Sequence, residues 1–220
     1  MSSISEIIAY LLALIIAITT HEAAHGMAAY AFGDDTAKRE GRLTFNPLAH
    51  IDVLGTLILP GLMVLTHAPF MFGWAKPVPV DFSRLYPKRF GLLSVACAGP
   101  AVNLFLAWFA IMVIKIGLGE ATFNDQFLTA FIRINLVLAA FNLLPILPLD
   151  GGRMLAAMLP EKLAIIYAQT ERYGMLIIMG LIMFPLLLNP FGIHINLFGY
   201  ILYPIYDALA SIVMFLAGHG

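Results

Sequence analysis

Three titratable side chains, His21, Glu22 and His25, stand in the run THEAAHG at positions 20–26, with IIAYLLALIIAI before it and MAAYAFG after it. On an α-helix, positions i and i+4 share a face, so the two imidazoles lie one above the other while Glu22 sits one residue round from the first. This is the HExxH spacing, in which two imidazoles bind one zinc ion and the glutamate handles a proton of the water on the metal. The plainer alternative is a pair of core histidines hydrogen-bonded to carbonyls. Against it stands the cost of an acidic group near a bilayer centre, roughly 2.5–3.5 kcal/mol on insertion scales, which by default marks a functional site.

A catalytic zinc needs a third protein ligand and an open position for water. Asp150 is the best candidate, in FNLLPILPLDGGR at positions 141–153, where two prolines break the helix and two glycines permit a tight turn. Asp-Gly-Gly is also an ordinary turn and capping signal. His50, His67 and His194 stay open as alternatives; His50, in NPLAHID just after the first apolar run, suits a ligand-supporting or substrate-facing group. The single cysteine, Cys97, excludes an internal disulfide and a Cys-rich zinc knuckle, and reads as a small buried apolar residue.

The elements that must position these groups are membrane helices. Hydrophobic residues make up 61% of the chain and charged residues 11%, with a mean hydropathy of +0.90. A soluble domain could not cover so much apolar surface with so few charges. The formal net charge of -1, with scattered basic residues, gives no footprint for nucleic acid. MSSISE lacks a basic start and no cleavage site interrupts the first apolar run, so that run is expected to be a retained membrane helix.

Apolar windows of roughly 20 residues predict spans at about 4–32, 90–116, 127–144, 173–188 and 197–216, with a further apolar stretch, 51–72, broken by Pro60 and Gly61. The expected fold is an all-α polytopic membrane protein of about five to six transmembrane helices. It is read as one membrane-embedded domain over 1–220, with a catalytic core at about 4–155 and C-terminal helices at about 173–216. Lys38, Arg39 and Arg42, then Lys76, Arg84, Lys88 and Arg89, then Arg153, Lys162 and Arg172 mark three connections as cytoplasmic. Parity then requires residues 51–83 to enter the membrane and return without a net crossing, partly as extended chain around GWAKPVPV. Non-helical backbone at that depth is tolerated only when it is buried in protein or lines a wet cavity.

HEAAH at 21–25, AGPAVN at 98–103 and FNLLPILPLDGG at 141–152, together with GRLTFNPLAHID and FGWAKPVPV, resemble the signatures of the site-2 protease family of intramembrane zinc metalloproteases, in its compact prokaryotic branch without a PDZ domain. The resemblance covers roughly residues 15–155. It implies one Zn2+ per chain held by His21, His25 and Asp150, Glu22 as general base, and transmembrane proteins as substrates, in regulated proteolysis at a prokaryotic inner membrane with the site toward the cytoplasm. Asn103 matches the end of the family's G-x-x-x-N pattern and is expected to help meet charge on the scissile carbonyl; Asn142 opens the N-x-x-P segment. Val53 stands where proline is expected after the HID motif.

Asn142, Pro145 and His50 are the expected substrate-facing residues, with unpaired backbone near Pro145 and Pro148, or in GWAKPVPV, offered to an unwound substrate strand. Gly99, Ala98 and Ala101, with Ala24 and Ala28, are expected to let helices approach closely, and Asn103 and Asn142 could equally be interhelical hydrogen-bond glue. A metal or proton transporter would also carry intramembrane His and Asp, but no repeated halves are present. A silent peptide-binding scaffold would have no use for Glu22. The oligomeric state is not legible.

Overall fold

The computed structural model describes residues 4–58, 62, 74–117, 122–188, 192 and 195–218. His67 and His194, with Pro60 and Gly61, lie outside them. The elements are α1 (Ile4–Ala31), α2 (Thr36–Arg39), a 3-10 turn (Pro47–His50), a π-helical turn (Val53–Ile58), α3 (Lys88–Lys115), α4 (Thr122–Asn142), α5 (Asp150–Met158), α6 (Glu161–Ala168), α7 (Glu171–Leu188) and α8 (Leu197–Leu216). No strand occurs among the described residues. The chain is an all-helical integral membrane protein, and α1, α3 and α8 are each long and apolar enough to cross a bilayer. The stretch from Arg153 to Arg172, read from sequence as a loop, is largely the short helices α5 and α6, parted by Pro160 at the α6 N-cap.

Helix α1 shows how the site is placed. Ala9, Ala13, Ala17, His21, His25 and Ala29 recur at every fourth position and are all buried, whereas Ile7, Ile8, Leu11, Leu12, Ile15 and Ile16 are exposed. This stripe, joined toward the C-terminal half by Thr19, Ala23 and Gly26, therefore packs on protein, and the isoleucine and leucine face is left for lipid. Lipid tails are as apolar as the helices, so association rests on close packing, which small residues permit. Ala13 and Ala17 meet Ala110 of α3 and Phe131 and Ile134 of α4 in one cluster. The stripe alanines and Ala23 are fully buried, while Ala24 and Ala28 are half-buried. The imidazoles continue the alanine stripe and so face the helices that the alanines draw close.

Helix α8 closes the far side, with Leu202, Leu209 and Val213 against Ala107 and Ile111 of α3 and Ala139 and Ala140 of α4. The basic connections meet at one end of the bundle. Arg84 pairs with Asp35 at 2.8 Å, Arg42 donates to the Lys76 carbonyl at 2.8 Å, and Arg89 donates to the Leu159 carbonyl. The two ends of the expected re-entrant stretch are also bonded together, Lys76 N–H to the His50 carbonyl at 2.9 Å and Trp74 N–H to the Gly55 carbonyl at 3.2 Å. Residues 74–81 run without helix or strand. The centre of that stretch, 59–61 and 63–73, lies outside the described residues.

Candidate metal centre

Three buried donor atoms converge. His21 Nε2 and His25 Nε2 lie 3.1 Å apart, and Asp150 Oδ2 is 3.2 Å from the first and 3.3 Å from the second. The α3 face behind the rings explains the arrangement: it presents Val95, Gly99 and Asn103 at four-residue steps. His25 Nδ1 is 2.7 Å from the Val95 carbonyl and His21 Nδ1 is 2.6 Å from Asn103 Oδ1. Both partners are acceptors, so both Nδ1 atoms carry the proton and donate. Each Nε2 is then a bare lone pair. Between these acceptors Gly99 leaves a gap, since a Cβ there would fall 2.5 Å from His25 Nε2 and 2.6 Å from His21 Nε2.

Asp150 arrives from the opposite side as the first residue of α5, after the turn that begins at Leu143. The two glycines after it serve close approach rather than an unusual backbone torsion, as neither has positive φ. A Cβ on Gly151 would come within 2.6 Å of the Leu144 carbonyl oxygen, and one on Gly152 within 2.6 Å of Leu147 N. The turn can thus fold back on α5 and aim the carboxylate at the rings.

With both Nε2 atoms unprotonated, the trio has three facing lone-pair donors and no proton between them; Asp150 Oδ2 has no hydrogen-bond donor. Such a cluster calls for a cation. A tetrahedral zinc with bonds of about 2.0–2.2 Å needs ligand separations of about 3.3–3.6 Å, close to the observed triangle. Two imidazoles and a carboxylate are also a borderline-hard set that suits zinc. The residues fit the ion.

Glu22 lies beside the trio, half-buried, with Oε2 accepting from Val78 N–H at 2.8 Å. A cavity of about 460 Å³ joins Glu22, His21, His25 and Asp150 to apolar walls from Ile18, Leu138, Phe141 and Ile178 and to the polar groups of Asn142 and Arg153. The other expected residues are placed elsewhere or otherwise. Asn103 is fully buried; its amide donates to Asn135 Oδ1 at 2.7 Å and its oxygen is occupied by His21. Asn142 lines the cavity, its amide donating to the Leu138 carbonyl. His50 is buried outside the cavity lining, with Nε2 donating to the Thr44 carbonyl at 2.9 Å. Pro145 accepts at its carbonyl from the Tyr167 hydroxyl at 2.9 Å and is not part of the lining, which Pro148 and Leu149 supply at that turn.

Sequence reasoning missed Asn135, Asp34, Arg42 and the Val78 amide. Asn135 was detectable as a second amide inside an apolar helix. It donates to the Phe131 carbonyl and anchors Asn103 between α3 and α4.

Comparison with known proteins falls on this geometry. The chain is 41% identical over 181 residues to YwhC of Bacillus subtilis strain 168, a candidate zinc metalloprotease by name, covering 79% of each chain. The model of peptidase family M50 matches residues 113–185. The chain belongs to peptidase family M50, the site-2 protease family. The matched stretch of this M50 chain contains Asp150, and the histidine pair precedes it. Two further relatives, both named Rip2 and likewise candidate zinc metalloproteases by name, come from Mycolicibacterium smegmatis and Mycobacterium tuberculosis. They are 30% and 25% identical, each over 79% of this chain and 66% of the relative. No solved structure matches the M50 chain.

Proposed function

We propose that this chain is a zinc-dependent intramembrane endopeptidase that hydrolyses peptide bonds in or beside the transmembrane segments of membrane proteins. The observation that carries the reading is the convergence of His21, His25 and Asp150 within 3.3 Å, with the Glu22 carboxylate on the same cavity. Bound zinc supplies Lewis acidity, polarising the scissile carbonyl and lowering the pKa of water toward about 7. His21 and His25 hold it through Nε2 and Asp150 through its carboxylate. Glu22 takes a proton from the attacking water and delivers it to the leaving amine. Asn103 acts behind the metal, fixing the ring of His21 from the Nδ1 side.

The apolar walls of the cavity suit side chains from a membrane segment, which must unwind locally to expose a carbonyl. In the segment 74–81, free of helix and strand, Ala75 and Val80 line the cavity and are the positions whose backbone could pair with such a strand, since the amides of Trp74, Lys76, Val78 and Asp81 and the Pro145 carbonyl are already bonded within the chain. Residues 51–83 are taken to return to the side from which they enter; the bond between Lys76 and His50 supports this path. With the three basic connections together at one end, the charge bias supports a cytoplasmic orientation of that end, while the bacterial relatives support placing the chain in a prokaryotic inner membrane, with regulated proteolysis as the role we assign to it there.

Purified protein is expected to hold one zinc per chain and to cut a single-span membrane substrate, with cutting lost and zinc kept in Glu22→Gln. Native-rate cutting by Glu22→Gln refutes the assigned base.

A further inference from the structure

We infer that Asp34 and Arg42, two charged residues outside the metal cluster, are positioning residues that hold the 74–82 segment in the register that aims the Val78 amide at Glu22. The inference rests on the reading of Glu22 as the proton carrier. In the run Pro77-Val78-Pro79 the flanking prolines have no N–H, so Val78 carries the one backbone donor of the three. That donor goes to Glu22 Oε2 at 2.8 Å.

Residues 74–81 belong to no helix or sheet, so no ladder fixes their register. Backbone bonds from Trp74 and Lys76 N–H to the Gly55 and His50 carbonyls anchor only its start, and from Lys76 to Asp81 side chains hold it. Arg42 donates from one guanidinium nitrogen to the Lys76 carbonyl at 2.8 Å and the Pro77 carbonyl at 3.3 Å, the two carbonyls that lead into Val78. Three residues beyond Val78, Asp34 Oδ2 accepts from Asp81 N–H at 2.7 Å, while its other oxygen accepts from Thr36 N–H at 3.0 Å and the Thr36 hydroxyl at 2.5 Å. The Val78 side chain is seated as well, on Gly26, where an added Cβ would lie 3.1 Å from Val78 Cγ1. Gly26 is one helical turn beyond Glu22. The segment is thus pinned before, at and after the donor.

Burial supports the assignment. Asp34 is 0% exposed and Arg42 is 7% exposed, and a charge so enclosed is retained only when hydrogen bonds hold it. Burial pushes the Asp34 carboxyl up, but the bonds from Thr36 and Asp81 and the nearby charge of Arg84 outweigh it and hold the group below the usual carboxylate range. A misplacement of about 1 Å at a reacting group costs on the order of 100-fold in rate.

The test uses the full chain in phosphatidylethanolamine and phosphatidylglycerol liposomes with a dye-labelled single-span peptide whose centre is glycine-rich. Zinc content, kcat, KM and hydrogen exchange at the Val78 amide are read together. If native protein leaves the peptide uncut, or Glu22→Gln cuts it at the native rate, the protease reading fails, and amide exchange alone then decides the clamp. Arg42→Gln is expected to lower kcat about 10-fold or more with KM within about 2-fold and native zinc content. Val78 amide exchange should quicken by about 10-fold. Arg42→Lys is expected to restore most of the rate, because an ammonium can still donate to both carbonyls. In a Glu22→Asp background, where the shortened carboxylate already forfeits the Val78 bond, adding Arg42→Gln should cost nothing more; a merely structural arginine would slow that variant too. Native kcat and native Val78 exchange in Arg42→Gln, or additive losses in the double variant, overturn the inference. Should Arg42→Gln fail to fold, Asp34→Asn is read in the same ways and decides.

Discussion

Gly99→Ala is the sharpest single perturbation of the centre. The added Cβ would stand 2.5 Å from His25 Nε2 and 2.6 Å from His21 Nε2, where ordinary contact begins near 3.4 Å. The rings cannot simply swing away. Each is held through Nδ1 by the same helix that carries the new methyl, His21 by Asn103 at 2.6 Å and His25 by Val95 at 2.7 Å. Ligand atoms must therefore retreat by about 0.9 Å, several times the roughly 0.2 Å tolerance of a metal–ligand bond. Loss of a supporting partner alone typically costs 10–100-fold in metal affinity, so a loss of about 100-fold or more is expected here. The assay is zinc competition with a chelator of known affinity, alongside helical content and thermal midpoint. Gly180→Ala in α7 is the control: an added Cβ there has nothing within 4 Å, and exchanging glycine for alanine inside a helix should be neutral or stabilise by about 0.5–1 kcal/mol. Native zinc affinity in Gly99→Ala would refute the wedge of rings against α3.

Asn103→Ala should weaken zinc binding about 10–100-fold by freeing the ring of His21, and Asn135→Ala should do the same more weakly through Asn103, both measured by chelator competition. Equal losses from Asn103→Ala and from Asn196→Ala, an amide that caps α8 by accepting from Gly199 N–H and lies outside the cavity lining, would contradict the assignment. Asp34, whose carboxyl is held low in the folded chain, stabilises fully above its unfolded value of about 3.9 and less as pH falls through the lower folded value. The thermal midpoint gap between native protein and Asp34→Asn should thus stay constant from about pH 8 to about pH 5 and close below about pH 4. A gap that closes by pH 6 would count against the clamp. Tyr167→Phe removes the bond to the Pro145 carbonyl and should cost about 0.5–1.5 kcal/mol of stability with little change in zinc affinity, read by denaturation and chelator competition.

The helical class, and the placement of two imidazoles on one face of α1, were legible because a period of 3.6 and an i, i+4 spacing are local properties of the chain. The approach of Asp150 to those rings, more than a hundred positions away, rested on resemblance; the broken helix and glycines around it left other candidates open. The sequence offered glycines at 151 and 152 as a torsional device, whereas they serve close approach to the Leu144 and Leu147 backbone. It pointed to Ala24 and Ala28 for helix contact, whereas the fully buried stripe begins with Ala9, Ala13 and Ala17. Which small residues meet a neighbour depends on the neighbour's position, and periodicity carries no information about that. The Val78 amide was hidden for a related reason. A backbone donor has no residue type, and only the prolines on either side hint that it is alone. Arg42 counted in the sequence only as one of the charges marking a cytoplasmic connection, and nothing singled out Asp34, until their burial and their carbonyl and amide partners were visible.

The central claim is that one metal ion is gripped by His21, His25 and Asp150. X-ray absorption at the zinc edge, on full-length Glu22→Gln protein in liposomes with and without Asp150→Ala, tests it most directly. The prediction is one zinc per chain with two imidazole nitrogens and carboxylate oxygen at about 2.0–2.2 Å, and loss of the carboxylate shell together with most of the affinity in Asp150→Ala. A zinc environment without two imidazoles, or one left unchanged by Asp150→Ala, would contradict the account.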